Sequence, residues 1–191
     1  MAKTDRIGLL LIDFINPLTL KRTNKLAPWA LKAAGNTRRL KAACVACGVP
    51  CIYINDNFGD WRGNFTDLVD RAAAQTGPGG VIAQMLRPEP TDYAMLKPRH
   101  SAFYGTPLAF LLEELRISKL ILTGLEADVC VFFTAQDAYV RKFQLWVPPN
   151  CVGTENDAHF KGVLALMRRN LKANTKPAGR SIDPAREFQS P

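Results

Sequence analysis

Ile121-Leu122-Thr123-Gly124-Leu125-Glu126-Ala127-Asp128-Val129-Cys130-Val131 decides how the chain is read. Its apolar start predicts a buried strand, here Lys119 to Thr123. Gly124 lets the chain turn. Asp128 suits the cap of a new helix, expected from Val129 to Lys142, which places Cys130 in that helix's first turn. Free N–H groups and the positive end of the helix dipole at that point favour a thiolate. A strand, a turn, a cysteine and a helix together present a nucleophile at the mouth of a sheet.

Working outward, Ile7-Gly8-Leu9-Leu10-Leu11-Ile12 is a continuous apolar run closed by Asp13. Unbroken apolarity suits a parallel strand covered on both faces. Asn16-Pro17 begins a loop expected to reach Pro28, and a helix is expected from Trp29 to Cys47, stopped by Gly48. Cys51 to Ile54 and Asp92 to Leu96 predict two more strands. The second delivers Lys97 at its end, and Pro98 holds Lys97 extended. Short helices are expected over 65–74 and 81–86. Thr106-Pro107 opens another helix, Gln144 to Val147 forms a fifth strand, and Thr154 with Asp157 opens a last helix to about Lys172.

Alternating strands and helices predict an α/β fold, a parallel sheet between two helical layers in one domain over 1–172. Residues 173–191 are polar, basic and contain proline, and read as a tail ordered only against a partner. Ligands in such sheets sit beyond the carboxyl ends of the strands. Asp13, Lys97 and Cys130 all fall at or just past such an end. A carboxylate to move protons, an ammonium to hold charge and a thiol to attack are the parts of a cysteine acyl-transfer site. N–H groups around Glu126 and Cys130 are placed to hold an oxyanion.

The 191 residues are 47% hydrophobic and 22% charged, ordinary for a globular domain. The polar start, Met1 to Arg6, does not read as a signal peptide, and no apolar run is long enough to span a membrane. Five cysteines then read as thiols, and the cytosol is the expected compartment. The net charge of +8 gathers toward the C-terminus, and no basic run is interleaved with aromatics, so nucleic acid is not the expected partner. Cys44-Val45-Ala46-Cys47 is a CxxC, but it lies near a helix end and has no partner motif; core packing is the stronger reading. His100 lies near enough to Lys97 to reach the same pocket, and His159 belongs to a helix face. Phe14, Trp61 and Phe103 are candidate pocket walls, set against ordinary packing beneath loops.

Leu10-Leu11-Ile12-Asp13-Phe14-Ile15-Asn16, Leu96-Lys97-Pro98-Arg99-His100-Ser101-Ala102-Phe103 and Gly124 to Val131 together resemble the isochorismatase-like cysteine hydrolases, in order and spacing, over most of residues 7–170. The resemblance implies that fold, a catalytic triad of Asp13, Lys97 and Cys130, and a cis peptide at Leu125–Glu126 that turns a backbone N–H into the oxyanion hole. It implies Phe14, Trp61, Phe103 and Ala127 as substrate contacts, and a homo-oligomer. Nicotinamidases of this family hold a metal through an Asp-x-His pair and a second His. Here Asp56-Asn57-Phe58 stands in that loop, and no histidine precedes His100, so no metal or other cofactor is expected. Isochorismatases cleave a vinyl ether and often lack the cysteine; keeping Cys130 points to a small amide or ureide. Ile15, Glu126, Ala127 and Asn150 depart from the common wording. Glu126 either selects a cationic or hydrogen-bond-donating substrate or faces solvent. Two alternatives remain open: a non-catalytic binding or scaffold protein on the same fold, and a vinyl ether hydrolase.

Overall fold

The computed structural model describes residues 5–16, 18 and 23–188. Six parallel strands form one sheet in the order β3-β2-β1-β4-β5, with β6 also paired to β4. The strands are β1 (Arg6–Ile12), β2 (Cys51–Asp56), β3 (Tyr93–Lys97), β4 (Ile117–Leu125), β5 (Gln144–Trp146) and β6 (Val152–Gly153). Side chains alternate across a strand, and β1 shows the consequence. Leu9 and Leu11 enter the core that holds Leu26, Ala30, Ala33 and Ala34 of α1 (Thr23–Ala46), together with residues of α2 (Phe65–Ala73) and α3 (Pro78–Met85). Leu10 and Ile12 enter the opposite core, with Leu108 and Leu112 of α4 (Leu108–Glu114), Ala135 and Ala138 of α5 (Phe132–Val140) and Val163 and Met167 of α6 (Asp157–Leu171). The result is the expected three-layer α/β/α fold. Among the described residues, no helix is long and apolar enough to cross a membrane.

The differences from the sequence reading have local causes. Helix α1 starts at Thr23 and carries Pro28 inside it, rather than starting at Trp29. Proline removes one helical hydrogen bond, but Leu26, Ala30, Ala33 and Ala34 fall on one buried stripe that anchors the added turns. Of the loop expected over 16–28, residues 17 and 19–22 lie outside the described residues. Two-residue β6 is too short to carry a pattern; it pairs Val152 with Gly124 and Gly153 with Leu125. Helix α6 is capped by Asn156, whose side chain accepts from the N–H groups of Ala158 and His159. Thr154 Oγ1 instead accepts from Asn156 N at 3.2 Å.

The stretch read from composition as a tail is tied to the sheet edge through residue 188. Asn174 N donates to Leu145 O at 2.8 Å, and Val147 N donates to Asn174 O at 2.8 Å. Trp146 Nε1 donates to Lys176 O. Asn150 donates its amide N–H to Ala178 O and accepts from Ala178 N, both at 2.9 Å. Ala173, Asn174, Lys176 and Ala178 therefore find backbone partners within the chain. Residues 189–191 lie outside the described residues.

Candidate active site

Register brings the strand ends level. Ile12 of β1 sits opposite Ile54 of β2 and Gly124 of β4, and Asp56 of β2 sits opposite Lys97 of β3. Asp13 follows β1 in a left-handed conformation, φ 54°. Its N–H donates to Ile54 O at 3.0 Å, and its Oδ1 accepts from Asp56 N at 2.6 Å. Asn55 clamps the chain just beyond: its amide donates to Ile15 O at 2.7 Å and accepts from Ile15 N at 3.2 Å. Gly124 lies directly across from this turn at φ 138°, and a Cβ there would fall 2.1 Å from Ile12 O. Only glycine lets β4 approach β1 this closely.

Lys97 is wholly buried, and its Nζ lies 2.8 Å from Asp13 Oδ2 and 3.6 Å from Cys130 Sγ. Asp56 Oδ2 is 3.8 Å from the same ammonium. His100 Nδ1 is 4.0 Å from Cys130 Sγ. The structure thus brings Asp13, Lys97 and Cys130 together from the ends of β1, β3 and β4. Asp56 and Asn55 were missed as site residues in the sequence. The same strand-end rule that picks out Asp13 would have found them at the end of β2.

Cys130 lies in a π-helical segment, Ala127–Val131, that precedes α5. The expected α-helix over 129–142 is therefore wound more loosely at its start and ends earlier. The Leu125–Glu126 peptide is cis. Thr134 Oγ1 donates to Cys130 O at 2.7 Å and accepts from Ala102 N at 3.0 Å. Ser101 donates to Asp137 Oδ2 and accepts from Phe103 N. The Ser101-Ala102-Phe103 stretch thereby pins the loop after Lys97 onto the helix that carries the cysteine.

Electrostatics differ from the sequence expectation of a thiolate. Burial pushes the Cys130 thiol up and the Asp13 carboxylate pushes it further, against the opposing pull of Lys97. Burial likewise lifts Asp13 above the ordinary carboxylate value, although Lys97 and the Asp56 N–H hold it down in part. For Lys97, burial works toward neutrality, but Asp13, Cys130 and Asp56 outweigh it and hold the ammonium charged. Burial therefore opposes charge on both the thiol and Asp13, while Lys97 favours it on each.

The expected substrate contacts divide. Phe14 is fully buried in the core facing α1, because the left-handed turn at Asp13 interrupts the strand's alternation and sends the next ring inward. Phe103 and Ala127 are buried in the opposite core, and the Arg141 guanidinium stacks 4.8 Å from the Phe103 ring centroid. All three are packing residues in this conformation. Trp61 lines a cleft of about 460 Å³ together with Asp56, Pro98, Arg99 and Tyr104; Asp56, 3.8 Å from the Lys97 ammonium, links this cleft to the site, and none of Asp13, Lys97 and Cys130 lines it. A larger cleft of about 990 Å³ lies at the other end of β5, between the last turns of α5 and α6 and residues 186–188, remote from Cys130. Among the described residues, no group of three or more His, Cys, Asp or Glu side chains is arranged to hold a metal ion. The cysteines of the CxxC are free thiols, and burial pushes Cys44 up.

Fold and site define an α/β protein with a buried Asp-Lys pair and a cysteine at its strand ends. The isochorismatase domain model matches residues 8–176. The isochorismatase family protein YaaI of Bacillus subtilis (strain 168) is 32% identical over 180 residues, covering 91% of this chain and 94% of that one. N-carbamoylsarcosine amidase from Thermoplasma acidophilum superposes with a TM-score of 0.71 and 28% identity, over 90% of this chain and 96% of that chain. Ureidoacrylate amidohydrolase RutB of Methylorubrum extorquens is 42% identical over 62 residues, 32% of this chain and 25% of that protein. The chain belongs to the isochorismatase family of hydrolases.

Proposed function

We propose that the protein is a cysteine hydrolase that opens the C–N bond of a small amide or ureide through a thioester on Cys130. The observation that carries this reading is the position of the Lys97 ammonium, 2.8 Å from Asp13 and 3.6 Å from Cys130 Sγ. Asp13 takes the thiol proton as sulfur attacks the carbonyl carbon. Lys97 stabilises both the carboxylate and the forming thiolate. The backbone N–H groups of Glu126 and Cys130 receive the developing oxyanion. Collapse expels the amine, which leaves with the proton held by Asp13. Asp13 then deprotonates a water that attacks the thioester, and the thiol is restored as the carboxylic or carbamic acid departs. The raised thiol pKa suits this order of events, because the nucleophile is made only when Asp13 accepts its proton. The amidases among its relatives support the class of bond. We further place the protein in the cytosol, as a homo-oligomer.

Trapping with an electrophilic amide analogue tests the assignment. Intact mass should show one adduct on the wild type and none on Cys130→Ala. Asp13→Asn should lower kcat by about 10²- to 10⁴-fold, the range of a lost general base. Equal labelling of Cys130→Ala, or undiminished turnover by Asp13→Asn, would sink the mechanism.

A further inference from the structure

The neighbours of Cys130 differ in their access to water. The side chains of Lys97 and Asp13 are 0% and 7% exposed. His100 is exposed, and its Nδ1 lies 4.0 Å from the half-buried sulfur. The imidazole is held where it stands. It lies against Phe133, three residues past Cys130, with ring centroids 5.5 Å apart and planes at 34°. The residues that follow it are tied down as well: Ser101 donates to Asp137, and Ala102 N donates to Thr134 Oγ1. Phe133, Thr134 and Asp137 all belong to α5. The helix that follows the cysteine therefore also fixes the imidazole beside it. Asp13 and Lys97 supply the base and the positive charge for attack by sulfur, so His100 has no part in that half of the reaction.

We infer that His100 holds the water that opens the thioester on Cys130. This rests on the thioester reading and concerns its second half. Once acylated, Sγ carries no proton and is bonded to the carbon that water must reach. A ring nitrogen 4.0 Å from that sulfur is one water molecule away from the carbon. Attack begins with the reacting atoms about 3–3.5 Å apart, and a water on Nδ1 sits about 3 Å from it. Solvent reaches the imidazole, whereas Lys97 and Asp13 are closed to it. The nitrogen accepts from the water or donates to it according to its tautomer. No proton is left on His100. The water oxygen bonds to the carbonyl carbon, and its proton passes to Asp13. The C–S bond breaks, and the thiolate takes that proton back as the acid departs. His100 is thus a positioning residue for the second nucleophile, and acylation, where sulfur is the nucleophile, does not use it.

Single-turnover reactions with 4-nitrophenyl acetate as the probe separate the two halves. With enzyme in excess, nitrophenolate release measures acylation, and intact mass of quenched samples follows decay of the acetyl adduct on Cys130. In His100→Ala, nitrophenolate release should change little. Adduct decay should slow by about 10- to 100-fold, on the scale of a reactant misplaced by about an ångström. His100→Gln should recover part of the decay rate, since its amide also hydrogen-bonds a water. Hydroxylamine attacks a thioester without needing a held water. It should bring adduct decay in His100→Ala close to that of wild type given the same hydroxylamine, a rescue that a merely structural loss would not show. Equal slowing of both halves, adduct decay unchanged in His100→Ala, or no rescue by hydroxylamine would overturn the role of His100 and leave the thioester reading standing. Nitrophenolate release by the wild type with no adduct on Cys130 at any time would remove the thioester reading itself, and this role with it.

Discussion

Replacing Lys97 with methionine should destabilise the protein strongly where Asp13 is ionised and less as the pH falls and it takes up a proton. The side chain of Lys97 is 0% exposed and that of Asp13 is 7% exposed, so the substitution strands a carboxylate that water barely reaches. Among the described hydrogen bonds, Asp13 then keeps the one from the N–H of Asp56. Breaking a buried ion pair by removing one partner costs about 3–5 kcal/mol. For a chain of this size that corresponds to a fall in Tm of roughly 6–20 °C. The pH dependence follows from protonation. Asp13 is already raised by burial, and Lys97 is the largest influence holding it down, so the variant's carboxyl rises further. Between the two values the folded variant binds a proton that the folded wild type does not, so lowering the pH favours the variant relative to the wild type. The stability gap should therefore be full above the variant's raised value and shrink as pH falls through it. Thermal unfolding of both proteins at matched pH from 4 to 8 measures this. A gap that stays constant across the range would show that the loss comes from packing alone, and the account of the triad as a coupled charge pair would fail.

Three further outcomes follow from the same geometry. The rate should fall on the acidic side as Asp13 protonates, with a midpoint above the ordinary carboxylate value of 3.8, because burial raises this group; a kcat/KM profile with its acidic limb at or below that value would contradict the role of Asp13. Gly124→Ala should lose about 1–3 kcal/mol in urea unfolding, and activity with it, because the new Cβ meets Ile12 O immediately before Asp13. Asn150→Asp should lose about 1–3 kcal/mol, because it leaves Ala178 O facing an acceptor in place of a donor; an unchanged Tm would show that residues 173–188 are not held by this pair.

The three residues that meet at the site could be read directly from the chain. Each stands at or just past the end of an apolar strand, and parallel strands deliver such ends to one side of the sheet. Asn55 and Asp56 occupy equivalent ends yet were absorbed into a polar loop, because their partners, Ile15 and Asp13, lie 40 and 43 positions away. The winding at Cys130 and the raised thiol are also non-local. Sequence shows a cysteine in a first turn, where dipole and N–H groups favour the thiolate; the fold adds burial and the Asp13 carboxylate, and these dominate.

What the sequence by itself determined is the strand-and-helix alternation and the chain positions of Asp13, Lys97 and Cys130, since apolar runs and turn residues are local signals. Tertiary structure decided which aromatics face the cleft. Phe14 and Phe103 stand next to motif residues yet turn into opposite cores, while Trp61 stays open beside Arg99. It also decided that the basic end of the chain closes the sheet edge through Asn174. Both outcomes depend on which surfaces meet across the sheet, and that is set by strand register and packing between residues far apart in the chain.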